Sequence, residues 1–122
     1  MINWNWELLA EHNSLLEGPV WTGESLIYNE CYKNKTYENN FTDNNIKLFR
    51  DNTYEANGMQ FDRNGDLWFC EGVNHSIAKI NYKTKSREVI VVNHNEKNLN
   101  WPNDVAISFD NKNYFSDPNY TK

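Results

Sequence analysis

Glycine, proline and cysteine are all scarce in this sequence. Its 122 residues include 5 glycines, 3 prolines and 2 cysteines, which excludes a Gly/Pro-rich linker and a disulfide-stabilised scaffold. No apolar run is long enough to span a bilayer, and Met1 is followed by polar residues and tryptophan where a signal peptide would have basic and then apolar residues. We therefore expect a cytoplasmic protein that does not contact a membrane.

Positive charge is also in the minority. Lysine and arginine together number 12 against 17 acidic residues, a net charge of −5, so the chain has no electrostatic footprint for nucleic acid. The hydrophobic share of 39% is low, but the aromatic share of 15% is high. Many bulky aromatic side chains are typical of sheets packed face to face and argue against a disordered chain.

Three segments of the chain share one pattern. Each opens on a polar residue, has a large apolar residue four positions later, passes through a polar turn and closes on a carboxylate. The openers are Glu17, Asn57 and Asn103, the apolar residues are Trp21, Phe61 and Ile107, and the closing carboxylates are Glu30, Glu71 and Asp117. The openers are 40 and 46 residues apart, which is the spacing of four-stranded propeller blades. The pattern predicts an all-β fold that forms part of a β-propeller.

The length of the chain limits how much of a propeller it can build. A propeller needs at least four blades, and this chain holds only about two and a half. We predict one incomplete propeller domain over 1–122, with an N-terminal helix or strand in 1–16, a first blade at 17–50, a second at 57–92 and the inner hairpin of a third at 103–122. Residues 33–45 are polar and are predicted to form a loop, with a strand near Tyr37 or Phe41 as the alternative. Open blade edges predict self-association, and we expect the chain to be part of a longer protein.

The three openers are the candidate site residues. The innermost strands of successive blades line one channel, so Glu17, Asn57 and Asn103 are predicted to converge at one of its mouths. A carboxylate and two amide oxygens suit Ca²⁺, Mg²⁺ or Mn²⁺, and Zn²⁺ is also admissible where carboxylates dominate. The alternative for each residue is that its side-chain oxygen only caps a turn.

Other chemistry-bearing residues give weaker signals. Cys31 and Cys70 end apolar segments and are predicted to be small buried hydrophobes. Of the closing carboxylates, Glu30 is the one for which a solvated strand end is most strongly favoured. The three histidines are dispersed, and only His75, in the loop after Glu71, is retained as a candidate. Phosphate-binding loops, Cys/His zinc spacings and Gly-x-Ser-x-Gly elbows are absent from the sequence.

Three motifs together resemble one family. They are Glu-Gly-Pro-Val-Trp (17–21), Asn-Gly-Met-Gln-Phe-Asp-Arg-Asn-Gly-Asp-Leu-Trp-Phe-Cys-Glu (57–71), and Pro-Asn-Asp-Val (102–105) with Tyr-Phe-Ser-Asp-Pro-Asn-Tyr (114–120). They are similar to motifs of the senescence marker protein/gluconolactonase/luciferin-regenerating enzyme family, in its N-terminal part, and look closest to its bacterial gluconolactonase branch. The resemblance implies a six-bladed propeller with one divalent metal ion in the channel.

The resemblance also implies roles for individual residues. Glu17 matches the family's first metal ligand, and Asn103 matches a metal ligand or a substrate contact. Asp104 is expected to support the site, and Asn57, Asp104 and Glu71 are candidate substrate-binding residues. Two features depart from the family: Gly72 stands where a histidine is common, and the Asn and Asp that later blades supply, including the usual general base, have no counterpart here. The catalytic residue is therefore unknown.

Three functions follow as hypotheses. The leading one is the N-terminal portion of a lactonase that uses Ca²⁺ or Zn²⁺ to hydrolyse sugar lactones such as gluconolactone, inactive as this fragment. The second is a non-enzymatic propeller remnant or interaction module. The third keeps the metal propeller but acts on aryl esters or organophosphates.

Overall fold

The computed structural model describes residues 1–120; residues 121 and 122, the end of the predicted third blade, lie outside the described residues. It is an all-β structure of antiparallel strands. Sheet 1 contains β1 (Leu16–Trp21), β2 (Ser25–Glu30), β3 (Lys35–Asn40) and β4 (Asn45–Asp51). Sheet 2 contains β5 (Ala56–Phe61), β6 (Asp66–Glu71), β7 (Ser76–Asn81) and β8 (Arg87–Val91).

Two small hairpins and one short helix complete the structure. The hairpins are β9 (Asn93–His94) with β10 (Lys97–Asn98), and β11 (Val105–Ile107) with β12 (Asn113–Phe115). A single 3₁₀ turn spans Cys31–Lys33. In both four-stranded sheets each strand pairs with the next one along the chain, and the first strands β1, β5 and β11 lie side by side. This is the arrangement expected for the inner strands of successive blades.

The apolar run in β6 shows why the sheets stack. Leu67 and Phe69 face sheet 1 and join a buried cluster with Ile27 of β2. Trp68 and Cys70 face the other way and join a second cluster with Val105 of β11. Because successive side chains of a strand point to opposite faces, a strand covered on both sides reads as a continuous apolar run. Sheet 2 is therefore sandwiched between sheet 1 and the third hairpin.

Two local predictions from the sequence need comment. The polar stretch 33–45 contains the strand expected near Tyr37 as the alternative to a loop: this is β3, which pairs with β2 on one side and β4 on the other. Residues 1–15 form neither a helix nor a strand, and β1 begins only at Leu16.

The predicted hairpins themselves are confirmed. Within sheet 2, Met59 pairs with Phe69 and Phe61 with Leu67, so the two segments that the motif predicts as strands form one hairpin. Cys31 and Cys70 are free and buried, as expected for small hydrophobes. Among residues 1–120, the structure contains no helix whose length and apolarity would let it cross a membrane.

Candidate functional site

The openers Glu17 and Asn57 both lie at irregularities of the innermost strand. The register of β1 against β2 shifts between Glu17 and Val20, and that of β5 against β6 shifts between Ala56 and Met59. A bulge of this kind interrupts the alternation of side chains and redirects one of them. The two sheets therefore turn their opening polar side chains by the same local device.

Glycines after two of the openers bring neighbouring strands into backbone contact. Gly18 has a φ of +57°, and a Cβ atom there would overlap the carbonyl oxygen of Asn57 and lie 3.1 Å from its carbon. The N–H of Gly58 donates a hydrogen bond of 2.7 Å to Asn103 O. A Cβ atom at Gly58 would lie 2.6 Å from the Cα atom of Asp104. Only a residue without a side chain permits these approaches.

The consequence is a shared cavity. Glu17, Asn57 and Asn103 all line one pocket of about 510 Å³, together with Cys31, Glu55 and Trp101 among others. The three side chains that the repeat pattern singled out are thus neighbours in space, although they are up to 86 positions apart in sequence. Their assignment as metal ligands or substrate contacts stays a prediction.

The donor atoms of this pocket suit a hard cation. Glu17 offers a carboxylate and the two asparagines offer amide oxygens, which is the chemistry that Ca²⁺ and Mg²⁺ prefer. In the part of the chain that the structure describes, no three His, Cys, Asp or Glu side chains cluster as a ready metal site. A cation held here would therefore depend on amide oxygens and on ligands from outside the protein residues described.

Glu55 is a pocket residue that the sequence analysis missed. It lies two positions before the Asn57 motif and so falls outside the aligned repeat, and no feature of a single sequence marks it. Its backbone N–H donates to Asn34 Oδ1 at 2.6 Å, which fixes the chain direction where β5 begins. A second carboxylate thus joins Glu17 on the wall of the pocket.

Cys31 also reaches the pocket but does not offer a thiolate. Burial, with the nearby carboxylates of Glu17 and Glu55 as smaller causes, raises the pKa of the Cys31 thiol to about 12. The thiol donates a hydrogen bond to Ala56 O, with 3.0 Å between Sγ and the oxygen. It therefore stays protonated at neutral pH, and the negative charge of this wall comes from the two glutamates.

Asn57 is supported from behind by a buried polar pair. Asn29 Nδ2 donates to Asn57 O at 2.6 Å, and Asn29 Oδ1 accepts a hydrogen bond of 2.6 Å from Thr36 Oγ1. Asn29 and Thr36 are both completely buried, so water cannot replace these bonds. The contact ties the position of Asn57 to the interior of sheet 1, and no pattern in the sequence indicates it.

The structure places Glu71 away from this pocket. Its side chain is fully buried and pairs with Arg50, at 2.6 Å, and with Arg87. Burial by itself would raise the pKa of Glu71, but hydrogen bonds from Arg87 and the charge of Arg50 outweigh it and hold that pKa below its ordinary value. This geometry favours an ion-pairing role for Glu71 over the predicted contact with substrate.

The other two closing carboxylates are also engaged within the protein. Glu30 is buried and lies 3.5 Å from the ring of His12, so the expectation of a solvated strand end was wrong. Asp117 accepts hydrogen bonds of 2.8 Å from the backbone N–H groups of Asn100 and Trp101. It holds the chain just before the opener Asn103.

Asp104 and His75 lie beside the pocket. Asp104 Oδ1 accepts from the N–H of Val105 at 2.9 Å and packs against Gly58, which favours the supporting role over substrate contact. His75 is exposed, hydrogen-bonds Asn100 O, and stands perpendicular to the Trp101 ring. It lines the neighbouring cavity of about 400 Å³ and not that of Glu17.

The chain is similar to known gluconolactonases. It is 28% identical over 129 aligned residues to a gluconolactonase of Zymomonas mobilis, an alignment that covers 93% of this chain and 36% of that protein. An X-ray structure of a protein assigned as a gluconolactonase matches with a TM-score of 0.84 and 26% identity, over 92% of this chain and 39% of the other. No protein-family model matches the chain.

Two further solved structures show the fold alone. A gluconolactonase from Xanthomonas campestris matches with a TM-score of 0.81 at 24% identity, over 90% of this chain and 37% of its own. Virginiamycin B lyase from Staphylococcus aureus matches with a TM-score of 0.66 at 13% identity, over 84% of this chain and 34% of its own. The resemblance inferred from the three motifs is confirmed: over nearly its whole length this chain is a homologue of gluconolactonases, and it spans 36% of the Zymomonas protein.

Proposed function

We propose that this chain forms part of a metal-dependent lactonase that hydrolyses sugar lactones. The observation that carries the proposal is the convergence of Glu17, Asn57 and Asn103 on one pocket of about 510 Å³. The similarity to gluconolactonases over 93% of the chain supports the choice of substrate. A pocket of this size matches the range of small-molecule sites.

Glu17 and Asn103 are the residues that would hold the divalent cation, Ca²⁺ or Zn²⁺, with Mg²⁺ and Mn²⁺ as further candidates. A bound cation polarises the carbonyl of a lactone and stabilises negative charge on its oxygen. Ca²⁺ takes roughly six to eight oxygen ligands. Two protein ligands leave most positions to water, substrate or protein groups beyond these residues, so we expect weak binding by this chain.

The remaining residues of the wall position the substrate. Asn57, whose backbone carbonyl is held by Asn29, lines the pocket with Glu17. Glu55 adds a second negative charge to the wall of the pocket. This charge would attract a cation, although we do not propose Glu55 as a ligand. The family resemblance assigns the general base to a later blade, so we propose none among these residues. We therefore expect negligible hydrolysis by the 122 residues alone.

A six-bladed propeller is the complete form that we propose. The two sheets and the third hairpin amount to about two and a half blades, or roughly 42% of six. This chain covers 39% and 37% of the two matched gluconolactonase structures, which is close to the roughly 42% that two and a half of six blades would represent. The domain division, the cytoplasmic location and self-association through open edges stay predictions.

The test combines cation binding with lactone hydrolysis. Calorimetry with Ca²⁺ and Zn²⁺ on the 122-residue chain is expected to show weak binding that Glu17→Gln abolishes, with Glu88→Gln as the matched control because Glu88 is 66% exposed and lines neither of the cavities that Glu17 lines. Binding that is unchanged in Glu17→Gln would remove the proposed site. Hydrolysis of D-glucono-1,5-lactone that is lost in Glu17→Gln would retain the site and overturn the expected inactivity. Phenyl acetate in the same assay tests the aryl ester alternative.

A further inference from the structure

The indole of Trp101 lies directly on the backbone of Gly72. A Cβ atom at Gly72 would overlap Trp101 Nε1 and would lie 2.6 Å from Cδ1 and 2.7 Å from Cε2. Real Cβ atoms do not approach other heavy atoms this closely, and the atoms concerned belong to a rigid ring. Any side chain at position 72 would therefore displace the indole.

Gly72 is needed for space and not for backbone conformation. The described glycines with positive φ are Gly18, Gly23 and Gly65, and Gly72 is not among them. Its backbone is thus accessible to ordinary residues. The buried glycine at this position is explained by the ring that packs on it.

Three other residues also restrain Trp101. Its backbone N–H donates a hydrogen bond of 2.8 Å to Asp117 Oδ1. The ring of His75 stands at 90° to the indole with centroids 5.8 Å apart, an edge-to-face contact. The next residue, Pro102, is fully buried and has a restricted φ. The backbone of Trp101 is thus held by Asp117, and its indole packs between Gly72 and His75.

The Trp101 ring forms a partition between two cavities. Trp101 lines the pocket of about 510 Å³ that contains Glu17, Asn57 and Asn103. It also lines the adjoining cavity of about 400 Å³ that contains His75. The first pocket thus combines a cluster of oxygen donors with one rigid, half-buried aromatic surface. Small-molecule sites commonly have this composition, with polar groups fixing orientation and aromatic groups covering the ring.

We propose that Trp101 determines specificity in this pocket by stacking against the C–H face of a cyclic sugar derivative, and that Gly72 positions the indole for that contact. The inference rests on the proposed function for the substrate class. It adds that the pocket selects closed rings over open chains, because only a ring presents a flat apolar face to the indole. The hydrolysed, open-chain product would bind more weakly for the same reason.

The experiment compares a closed and an open ligand of nearly the same composition. The probes are D-glucono-1,5-lactam, a ring whose amide is not readily hydrolysed, and D-gluconamide, its open-chain counterpart. Binding to the 122-residue chain is followed by NMR of the indole N–H signals, with the Trp101 signal assigned by its loss in Trp101→Phe. Each titration is run with Ca²⁺ and with a chelator.

We expect the lactam to shift the Trp101 signal and to bind more tightly than the amide. Trp101→Ala should reduce that preference about three- to tenfold, the range that aromatic contacts supply. Trp6→Ala, at a tryptophan that is 93% exposed, should leave the preference unchanged. Gly72→Ala should reduce it in the wild type but have little further effect in the Trp101→Ala background.

The outcomes separate this inference from the proposed function. A Trp101 signal that the lactam does not shift, or a preference that survives Trp101→Ala in a variant with an unchanged circular dichroism spectrum, overturns the stacking role. Cation binding that depends on Glu17 would then still stand. Conversely, ring selection by Trp101 without any Glu17-dependent cation binding supports the inference and refutes the metal site.

Discussion

Arg50 Nη2, on the outer strand of sheet 1, donates a hydrogen bond of 2.6 Å to Glu71 Oε1, on the second strand of sheet 2. Arg87, from the outer strand of sheet 2, donates to the same carboxylate through Nε and Nη2. The Glu71 side chain is fully buried and that of Arg50 is only 10% exposed. One carboxylate therefore joins the two sheets through Arg50 and also pairs with Arg87 within sheet 2.

Neutralising this carboxylate should destabilise the protein strongly. In Glu71→Gln both arginines lose their charged partner while Arg50 stays buried, so we expect the free energy of unfolding to fall by about 3 kcal/mol. Urea denaturation measures the change. Glu88→Gln is the matched control, since Glu88 is 66% exposed and lies 3.7 Å from Lys79, and it should cost less than about 0.5 kcal/mol. Equal losses in the two variants would contradict the role given to Glu71.

The same ion pair predicts a dependence of stability on pH. The pKa of Glu71 in the folded protein lies below the ordinary value of 4.5, so the folded state favours the ionised form. Its stabilisation is complete above the unfolded-state pKa and is lost as pH falls through the folded one. The difference in unfolding free energy between wild type and Glu71→Gln should be constant from about pH 6 to 8, because the carboxyl is ionised in both the folded and the unfolded state over that range. The difference should shrink on acidification. A difference that grows in acid would show the opposite shift.

Glu17 and Glu55 should differ in their effect on cation binding. Both line the pocket, but only Glu17 is assigned as a ligand. We expect Glu17→Gln to weaken Ca²⁺ binding by ~10-fold or more and Glu55→Gln by only ~2- to 4-fold, because a nearby charge acts through space and is screened by water and salt. Calorimetry at two salt concentrations distinguishes the cases, since the Glu55 effect should decrease with salt. An effect of Glu55→Gln that equals that of Glu17→Gln would make Glu55 a ligand.

Asn29 should matter both to stability and to the site. Asn29→Ala leaves the carbonyl of Asn57 and the hydroxyl of Thr36 without their buried partner, at a cost of about 2 kcal/mol. Because Asn57 loses its support, Ca²⁺ binding should weaken as well. Denaturant unfolding and calorimetry measure the two effects, with the exposed Asn113→Ala as control. Unchanged cation affinity in a destabilised Asn29→Ala would show that Asn57 holds its place without this bond.

Repetition is what made the inner hairpins predictable from the sequence. Glu17, Asn57 and Asn103 occupy the same position in three copies of one pattern, and a propeller brings equivalent positions together. The strand β3 was predicted only as an alternative near Tyr37, and without its bounds, because Asn-rich segments have low β-propensity. Its central place between β2 and β4 supplies the pairing that its composition does not favour.

The contacts that support the site could not be predicted from the sequence for a different reason. Glu71 closes a strand like any surface carboxylate, and its two arginine partners lie 21 and 16 positions away with no regular spacing. Trp101 and Gly72 are likewise related only by packing between a loop and a strand end. Such relationships depend on how finished strands are stacked, which periodicity within one strand does not encode.

The contacts made by Gly18 and Gly58 have a consequence for how such a centre can diversify. They set the separation between neighbouring hairpins through main-chain atoms, so the spacing of the oxygen donors does not depend on which side chains carry them. Exchanging Asn57 for an acid, for instance, would alter charge and ion preference while the frame stayed in place. A scaffold of this kind allows new chemistry to be reached by single substitutions at its rim.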